Sequence, residues 1–529
     1  MTTPSEETRP RSRGTNGGWV RYLQLSPPSL ADNTADAQRI LRALERDLGG
    51  CSVTAPLSLV RGLPVVLRES GFRIRCTVFP EASRCVLLEV EPWDAPPLLG
   101  LAVDLGTTRV VVRLVDLESA QVLGERAFDN PQQRIGPDIL ARIHFADTPG
   151  GLHTLHHLIM EELNREIGTL SGQAAMSPER IVGVSVAGNT AMTHLFLGLD
   201  PHWMIREPYI PVVNTPGAVS ARELGLKLHP QARIFVFPNA GSYFGGDLVA
   251  GIYYSGLHLG KETRILVDVG TNAEVVLGNS DFFVACAGAA GPALEGGVTR
   301  MGTLAGPGVI ERVRIDPQTR TLHLQTIGGL PPVGICGSGL IDLAAVLFRS
   351  GMLDVQGKFV PGMCGSRLTD RDGIPSLLLV PAAESGTGED LYVTQVDMDS
   401  LLRSKAAMYT ILTTITSTVG LAFQDLDRFF VAGTFGAFID PASAITIGMI
   451  PDLPLERYRS LGNSSLEGAA LFLHSLEAVG IIEAIQRKIT YLELNVNHEF
   501  MTRFSAAKFF PHTDPSLFPS VAKWMKERG

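Results

Sequence analysis

The sequence predicts an α/β protein of two lobes with duplicated subdomains, preceded by a small α+β domain. Three observations lead there. The chain has 529 residues, more than a single hydrophobic core organises. Leu101 to Leu117, LAVDLGTTRVVVRLVDL, reads as an apolar strand, a tight turn and a second apolar strand. The same pattern returns at Arg264 to Leu277, RILVDVGTNAEVVL, with enough chain between the two for a whole subdomain.

The chemistry of the two turns is the same. Each apolar strand carries a carboxylate where its turn begins, Asp104 or Asp268, followed by Gly106-Thr107-Thr108 or Gly270-Thr271-Asn272. Glycine lets the backbone approach an anion, small polar residues donate hydrogen bonds, and the carboxylate can hold a metal ion through water. One such turn is also what an ordinary polar hairpin carries. Two of them suggest a duplicated fold closing around one nucleotide from both sides. At this point the sequence resembles the superfamily of acetate and sugar kinases, heat-shock chaperones and actin. The resemblance implies a two-lobed, actin-like or sugar-kinase-like ATPase with ATP and Mg²⁺ in the cleft between its lobes.

Composition narrows the alternatives. Hydrophobic residues make up 45% and charged residues 19%, which is globular. A net charge of −9 and a pI near 5.8 argue against nucleic acid or an anionic membrane as the main partner. The most apolar long stretch, Tyr409 to Phe423, is interrupted by five threonines and a serine and reads as a buried helix. Residues 1–18 are polar without an apolar core, so the expectation is a disordered tail and a cytoplasmic protein. The six cysteines, Cys51, Cys76, Cys85, Cys286, Cys336 and Cys364, have neither C-x-x-C nor ferredoxin spacing. Reduced thiols are expected, and no iron–sulfur cluster in this chain.

Taken in order, the small domain spans 19–97. Ala37, Ile40, Leu41, Leu44 and Leu48 recur at helical spacing before Gly49, and Phe72 to Val78 and Val86 to Val90 alternate as a two-stranded ribbon. The first lobe, 98–255, adds a third strand at Val122 to Phe128 and a strand at Val182 to Val186 that ends in Gly188-Asn189 and a helix. A further strand, Ile234 to Phe237, leads to Gly245-Gly246 and a helix opening with Asp247. That carboxylate either caps its helix or points into the cleft, where it orients water. The second lobe, 256–529, has small residues from Cys286 to Gly297 and a glycine turn, Gly337-Ser338-Gly339, that opens a helix. This turn offers amides to a phosphate or ribose, or simply permits tight packing. Lys405 lies on a long helix, and the strand Phe429 to Ala432 runs into Gly433-Thr434-Phe435-Gly436, which suits bare backbone against adenosine.

These stretches resemble a narrower family, the ATP-dependent reductive activators of corrinoid proteins. The resemblance is carried by Leu25 to Leu30, Val103 to Thr108, Ala187 to Met192, Asp268 to Asn272, Ala290 to Gly296, Ile335 to Leu340, Ala432 to Gly436 and Ala507 to His512. It implies linker, middle and C-terminal regions, a homodimer, and ATP hydrolysis that returns Co(II) to Co(I) on a corrinoid protein of a methyltransferase system. Members usually carry an iron–sulfur domain. Its absence here points to a separate electron donor such as a ferredoxin. Thr434 stands where a second glycine is frequent in the family.

The site expected from these readings has Asp104 and Asp268 positioning the metal and its waters, and Asp247 orienting the attacking water. Gly106, Thr107, Thr108, Gly270, Thr271 and Asn272 hold the phosphates, and Asn189 belongs to the nucleotide-binding set. Gly337, Ser338, Gly339, Lys405, Gly433, Thr434 and Gly436 frame the nucleoside. Two rivals stay open: a small-molecule kinase with Asp247 as base, and a non-redox nucleotide switch.

Overall fold

The computed structural model describes residues 18–270, 272–289, 300–316, 319, 321–433, 439–493 and 500–528. Most of the expected tail, and the Ala290 to Gly296 motif, lie outside them. The chain forms two compact units: residues 1–256 with 464–489, and residues 257–463 with 490–529. The expected second lobe, 256–529, includes one stretch that groups with unit 1. Ser464 to Ile489 packs within unit 1.

Unit 1 contains two sheets. The first is built from β1 (Val20–Gln24), β2 (Ser52–Thr54), β3 (Arg73–Pro80) and β4 (Arg84–Pro92), in the order β1-β3-β4-β2. The expected ribbon is its centre, and two short strands extend it to four. The Asp36–Asp47 helix buries Ile40, Ala43 and Leu44, and these share a core with Ile74, Cys76 and Val78. All six thiols of the chain are free. Burial pushes Cys85 up to about 12.

The second sheet comprises β5 (Leu99–Leu105), β6 (Arg109–Asp116), β7 (Val122–Asp129), β8 (Ile181–Gly188), β9 (Ala218–Ser220) and β10 (Arg233–Val236). Its order is β7-β6-β5-β8-β10-β9. The first three strands form an antiparallel meander, while β5, β8 and β10 run parallel. β5 and β8 are buried along nearly their whole length, which is why both read as continuous apolar runs.

The Ser464–Phe472 helix completes unit 1. Its Phe472, with no exposed surface, stacks on Phe235 at 4.0 Å between ring centroids and meets Trp19 edge-on at 5.6 Å. Phe79 and Phe237 close the same cluster, so one ring ties both sheets of the unit together. Gly183 serves the cluster from β8, because a Cβ there would lie 2.2 Å from the Trp19 ring.

Unit 2 repeats the meander-plus-parallel plan with β11 (Arg264–Val269), β12 (Asn272–Gly278) and β13 (Phe283–Ala289). Beyond these come β14 (Val309–Ile315), β15 (Leu322–Thr326) and β16 (Gly334–Ile335), which form one three-stranded sheet, and β17 (Leu368–Arg371), β18 (Ile374–Val380) and β19 (Leu391–Thr394), which form another. The main sheet is completed by β20 (Arg428–Ala432), β21 (Tyr458–Gly462) and β22 (Ile489–Tyr491), in the order β21-β20-β11-β12-β13-β22. With the short edge strands β9 and β22 set aside, the two main sheets share the order 3-2-1-4-5 counted from β5 and β11, with β5, β8 and β10 parallel in one and β11, β20 and β21 parallel in the other.

The Gln395–Thr418 helix starts at a capping box, with the Thr394 and Asp397 side chains each accepting from the other's amide. It buries Leu401, Met408, Ile411 and Ile415 in the core of unit 2. Among the described residues no helix is long and apolar enough to cross a membrane.

Replacing Phe472 by alanine removes the ring shared by both sheets of unit 1. The expected result is a loss of about 3–5 kcal/mol of unfolding free energy, read by denaturant titration.

Candidate functional site

In unit 1 the site residues come off the carboxyl ends of neighbouring parallel strands, where open α/β sheets place their ligands. Asp104 of β5 pairs in register with Ala187 of β8, so the turn after β5 lies beside Gly188 and Asn189. Asn189 caps the Thr190–Leu197 helix through its Oδ1, which accepts from the Met192 amide at 2.9 Å. Its Nδ2 donates to the Thr107 hydroxyl at 2.9 Å.

The turn itself admits only glycine at its first position. A Cβ on Gly106 would lie 2.2 Å from the Arg109 carbonyl oxygen. Donors inside the unit hold its carbonyls. Asn130 Nδ2 donates to the Gly106 carbonyl at 2.9 Å and Arg142 Nη2 to that of Thr107 at 2.7 Å. The Thr108 carbonyl accepts from the Asn130 amide at 2.8 Å and from Gln133 Nε2 at 2.5 Å. Because a trans peptide unit points its C=O and N–H in opposite directions, the amides of Thr107, Thr108 and Arg109 are turned away from these donors. Successive amides directed away from the protein's own donors are the kind of group that suits an anion.

Asp104 is half-buried, and its Oδ1 accepts from the Ser465 hydroxyl at 2.7 Å. Asp247 opens the Gly246–Ser255 helix, and its Oδ1 accepts from the Leu248 amide at 2.9 Å. It also faces the Asn189 backbone. A Cβ on Gly245 would meet both Asp247 Oδ1 and the Asn189 Cα at 2.5 Å. The structure thus brings Asp104, Gly106, Thr107, Thr108, Asn189 and Asp247 together in one unit.

In unit 2, Asp268 of β11 pairs in register with Ala432 of the parallel strand β20. Gly433 follows with φ +84°, and a Cβ there would lie 2.6 Å from Asp268 Oδ1 and 2.8 Å from the Val269 carbonyl. Only glycine fits that corner. Gly270 is exposed at the tip of the hairpin. Thr271, Thr434 and Gly436 lie outside the described residues, as does the side chain of Asn272.

Gly337, Ser338 and Gly339 are all buried in the first turn of the Gly337–Ser350 helix. A Cβ on Gly339 would lie 2.4 Å from the Ile310 carbonyl, so close packing on β14 requires this glycine.

Lys405 corrects an expectation. It has no exposed surface, and its ammonium donates to the Pro511 carbonyl at 2.6 Å and to that of Gly448 at 3.3 Å. It therefore pins two chain segments inside unit 2 rather than facing a nucleoside or water. Burial pushes its ammonium well below the ordinary lysine range.

Sequence reasoning missed Asn130, Arg142 and Ser465. An Asn-Pro pair at a strand end was the one local signal, since Asn130 Oδ1 caps the next turn by accepting from the Gln132 amide. Arg142 and Ser465 carry none. Among the described residues no three His, Cys, Asp or Glu side chains form a group able to hold a metal ion.

The Lys405 arrangement predicts a pH dependence. Between its lowered folded value and about 10.4 the unfolded chain binds the extra proton, so stability rises with pH through that window. The wild type is expected to gain thermal stability relative to Lys405→Met as the pH rises toward the ordinary lysine value of about 10.4. Parallel melting curves across that range check it.

Three family profiles match the chain. They are the RACo linker region over 19–95, the RACo middle region over 99–260, and the C-terminal domain of RACo, the ASKHA domain, over 262–522. The chain is similar to the corrinoid activation enzyme RamQ of Eubacterium limosum, with 33% identity over 422 residues, 78% of this chain and 70% of that one. It is also similar to the [Co(II) methylated amine-specific corrinoid protein] reductase of Methanosarcina barkeri, with 25% identity over 427 residues, 74% of this chain and 73% of that one. A solved reductive activator for corrinoid, iron-sulfur protein matches with a TM-score of 0.84 and 38% identity, covering 96% of this chain and 82% of that one.

Proposed function

The chain belongs to the RACo family of corrinoid activators, and on that footing we propose that it couples ATP hydrolysis to reductive activation of a corrinoid protein in a methyl-transfer system. The observation that carries this reading is the likeness to a corrinoid activator along 96% of the chain. The reaction moves one electron to cobalt, Co(II) to Co(I), while ATP and water become ADP and phosphate. The electron comes from a separate low-potential protein such as a ferredoxin. The protein acts in the cytoplasm as a homodimer.

Each 59 mV that a one-electron step must climb costs about 1.4 kcal/mol, and hydrolysis offsets that climb. The route is conformational: ATP and its products favour different states of the activator, and those states present the partner's cobalt differently.

The amides of the Gly106 to Thr108 turn and the Asn189-supported Thr107 hydroxyl hold phosphate oxygens. The unit 2 hairpin, Gly270, Thr271 and Asn272, does the same. Asp104 and Asp268 hold metal-bound waters, and Asp247 orients the attacking water. Gly433, Thr434 and Gly436 bring backbone to the adenosine, while the buried turn Gly337, Ser338, Gly339 offers backbone amides alone. Single carboxylates fit Mg²⁺, which keeps several waters and takes its remaining ligands from phosphate. When bound, the ion neutralises charge on the phosphates.

Asp104→Ala and Asp268→Ala are each expected to lower Mg²⁺-dependent phosphate release by roughly 100-fold with the fold intact. Corrinoid-stimulated release by the wild type, with decay of the Co(II) absorption under a low-potential reductant, supports activation. A phosphorylated small molecule in place of cobalt reduction assigns a kinase instead, and undiminished turnover in either variant removes the metal assignment.

A further inference from the structure

Arg142, on the Ile139–Ala146 helix, has no solvent-exposed surface. Its Nε donates to the Gly136 carbonyl at 2.9 Å, and Nη2 to the Thr107 carbonyl at 2.7 Å. Nη1 approaches Met192 Sδ at 3.2 Å and Gln132 Oε1 at 3.4 Å. Every one of these partners is neutral. The carboxylate that acts on the guanidinium, Asp138, does so at a distance, its Oδ1 being occupied in capping the same helix at the Ala141 amide. Burial pushes Arg142 down to about 10, which leaves it cationic at neutral pH.

A sealed cation with only neutral partners is costly to fold around, and the cost falls when an anion arrives within reach. Arg142 grips the middle carbonyl of the turn whose amides face the other way. One peptide group separates its fork from that amide row, with protein rather than water behind it, so its field is weakly screened there.

We infer that Arg142 is a positioning residue for the anionic ligand of the Gly106 to Thr108 turn, shaping the turn through the Thr107 carbonyl and supplying the positive charge that a triphosphate balances. The inference rests on the reading of that turn as a phosphate site, and it deepens that reading. The turn discriminates by ligand charge: ATP gains most, ADP less and adenosine nothing.

The test neutralises the charge without removing the arginine. Met192→Glu places a carboxylate against the guanidinium, and Met192→Gln is its uncharged control. With the full-length protein, equilibrium binding of ATP, ADP and adenosine is measured by calorimetry, and melting curves establish that each variant is folded. Met192→Gln is expected to stay within about threefold of the wild type, while Met192→Glu weakens ATP about tenfold or more, ADP less and adenosine not at all. Arg142→Lys, which keeps the charge but loses the fork, falls between the wild type and Arg142→Met. The lysine and methionine pair supplies the same contrast if a carboxylate at 192 prevents folding. Equal ATP affinity in Met192→Glu and Met192→Gln, or in Arg142→Lys and Arg142→Met, overturns the inference. So does equal weakening of ATP and adenosine, which marks a purely structural role. A wild type that binds no ATP fails one step earlier and removes the phosphate reading itself.

Discussion

The carbonyls of Gly106, Thr107 and Thr108 are all taken by donors inside unit 1, and the planarity of each peptide group then decides where the following amides point. Much of the site follows from that constraint. Gly106 is required because the turn is too tight for a Cβ, and the parallel pairing of β5 with β8 sets Asn189 against the turn. Asn130 and Arg142 reach the turn from behind, so the face offered to a ligand is made of backbone. On the proposed reading, an anion held chiefly by this backbone requires little side-chain ordering, which lowers the entropic cost of binding.

Unit 2 uses the same topology with different corners. Apart from the edge strands β9 and β22, both main sheets share one strand order, and both first strands carry an aspartate before the hairpin turn. Where the fourth strand ends, unit 1 has Gly188-Asn189 and unit 2 has Ala432-Gly433. The asparagine closes a hydrogen bond to a hydroxyl, while the glycine leaves its corner empty and brings the chain against Asp268. Duplication thus preserved the frame, and the two copies diverged at strand ends, where substitutions change chemistry without disturbing the ladder.

The two hairpins and the parallel strands were legible in the sequence because buried parallel strands are continuous apolar runs bounded by Asp and Gly. The edge strands of the first sheet were not. β1 turns Arg21 inward and leaves Tyr22 exposed, the reverse of what its residue types suggest, and β2 has only three residues. Lys405 was misread because a lysine on a helix carries no mark of burial. Its partners are carbonyls of Gly448 and Pro511, far along the chain. Ser465 and Asp104 stand 361 residues apart, a separation that no local pattern bridges.

The return of Ser464–Ile489 to unit 1 bears on synthesis. About two hundred residues of unit 2 leave the ribosome between Gly256 and Ser464. At roughly 5–20 residues per second, the nascent chain spends about 10–40 s with Trp19, Phe79, Phe235 and Phe237 lacking the ring that covers them. Over that interval the half-made protein is a sticky intermediate, and its first unit closes only after most of the second has been translated.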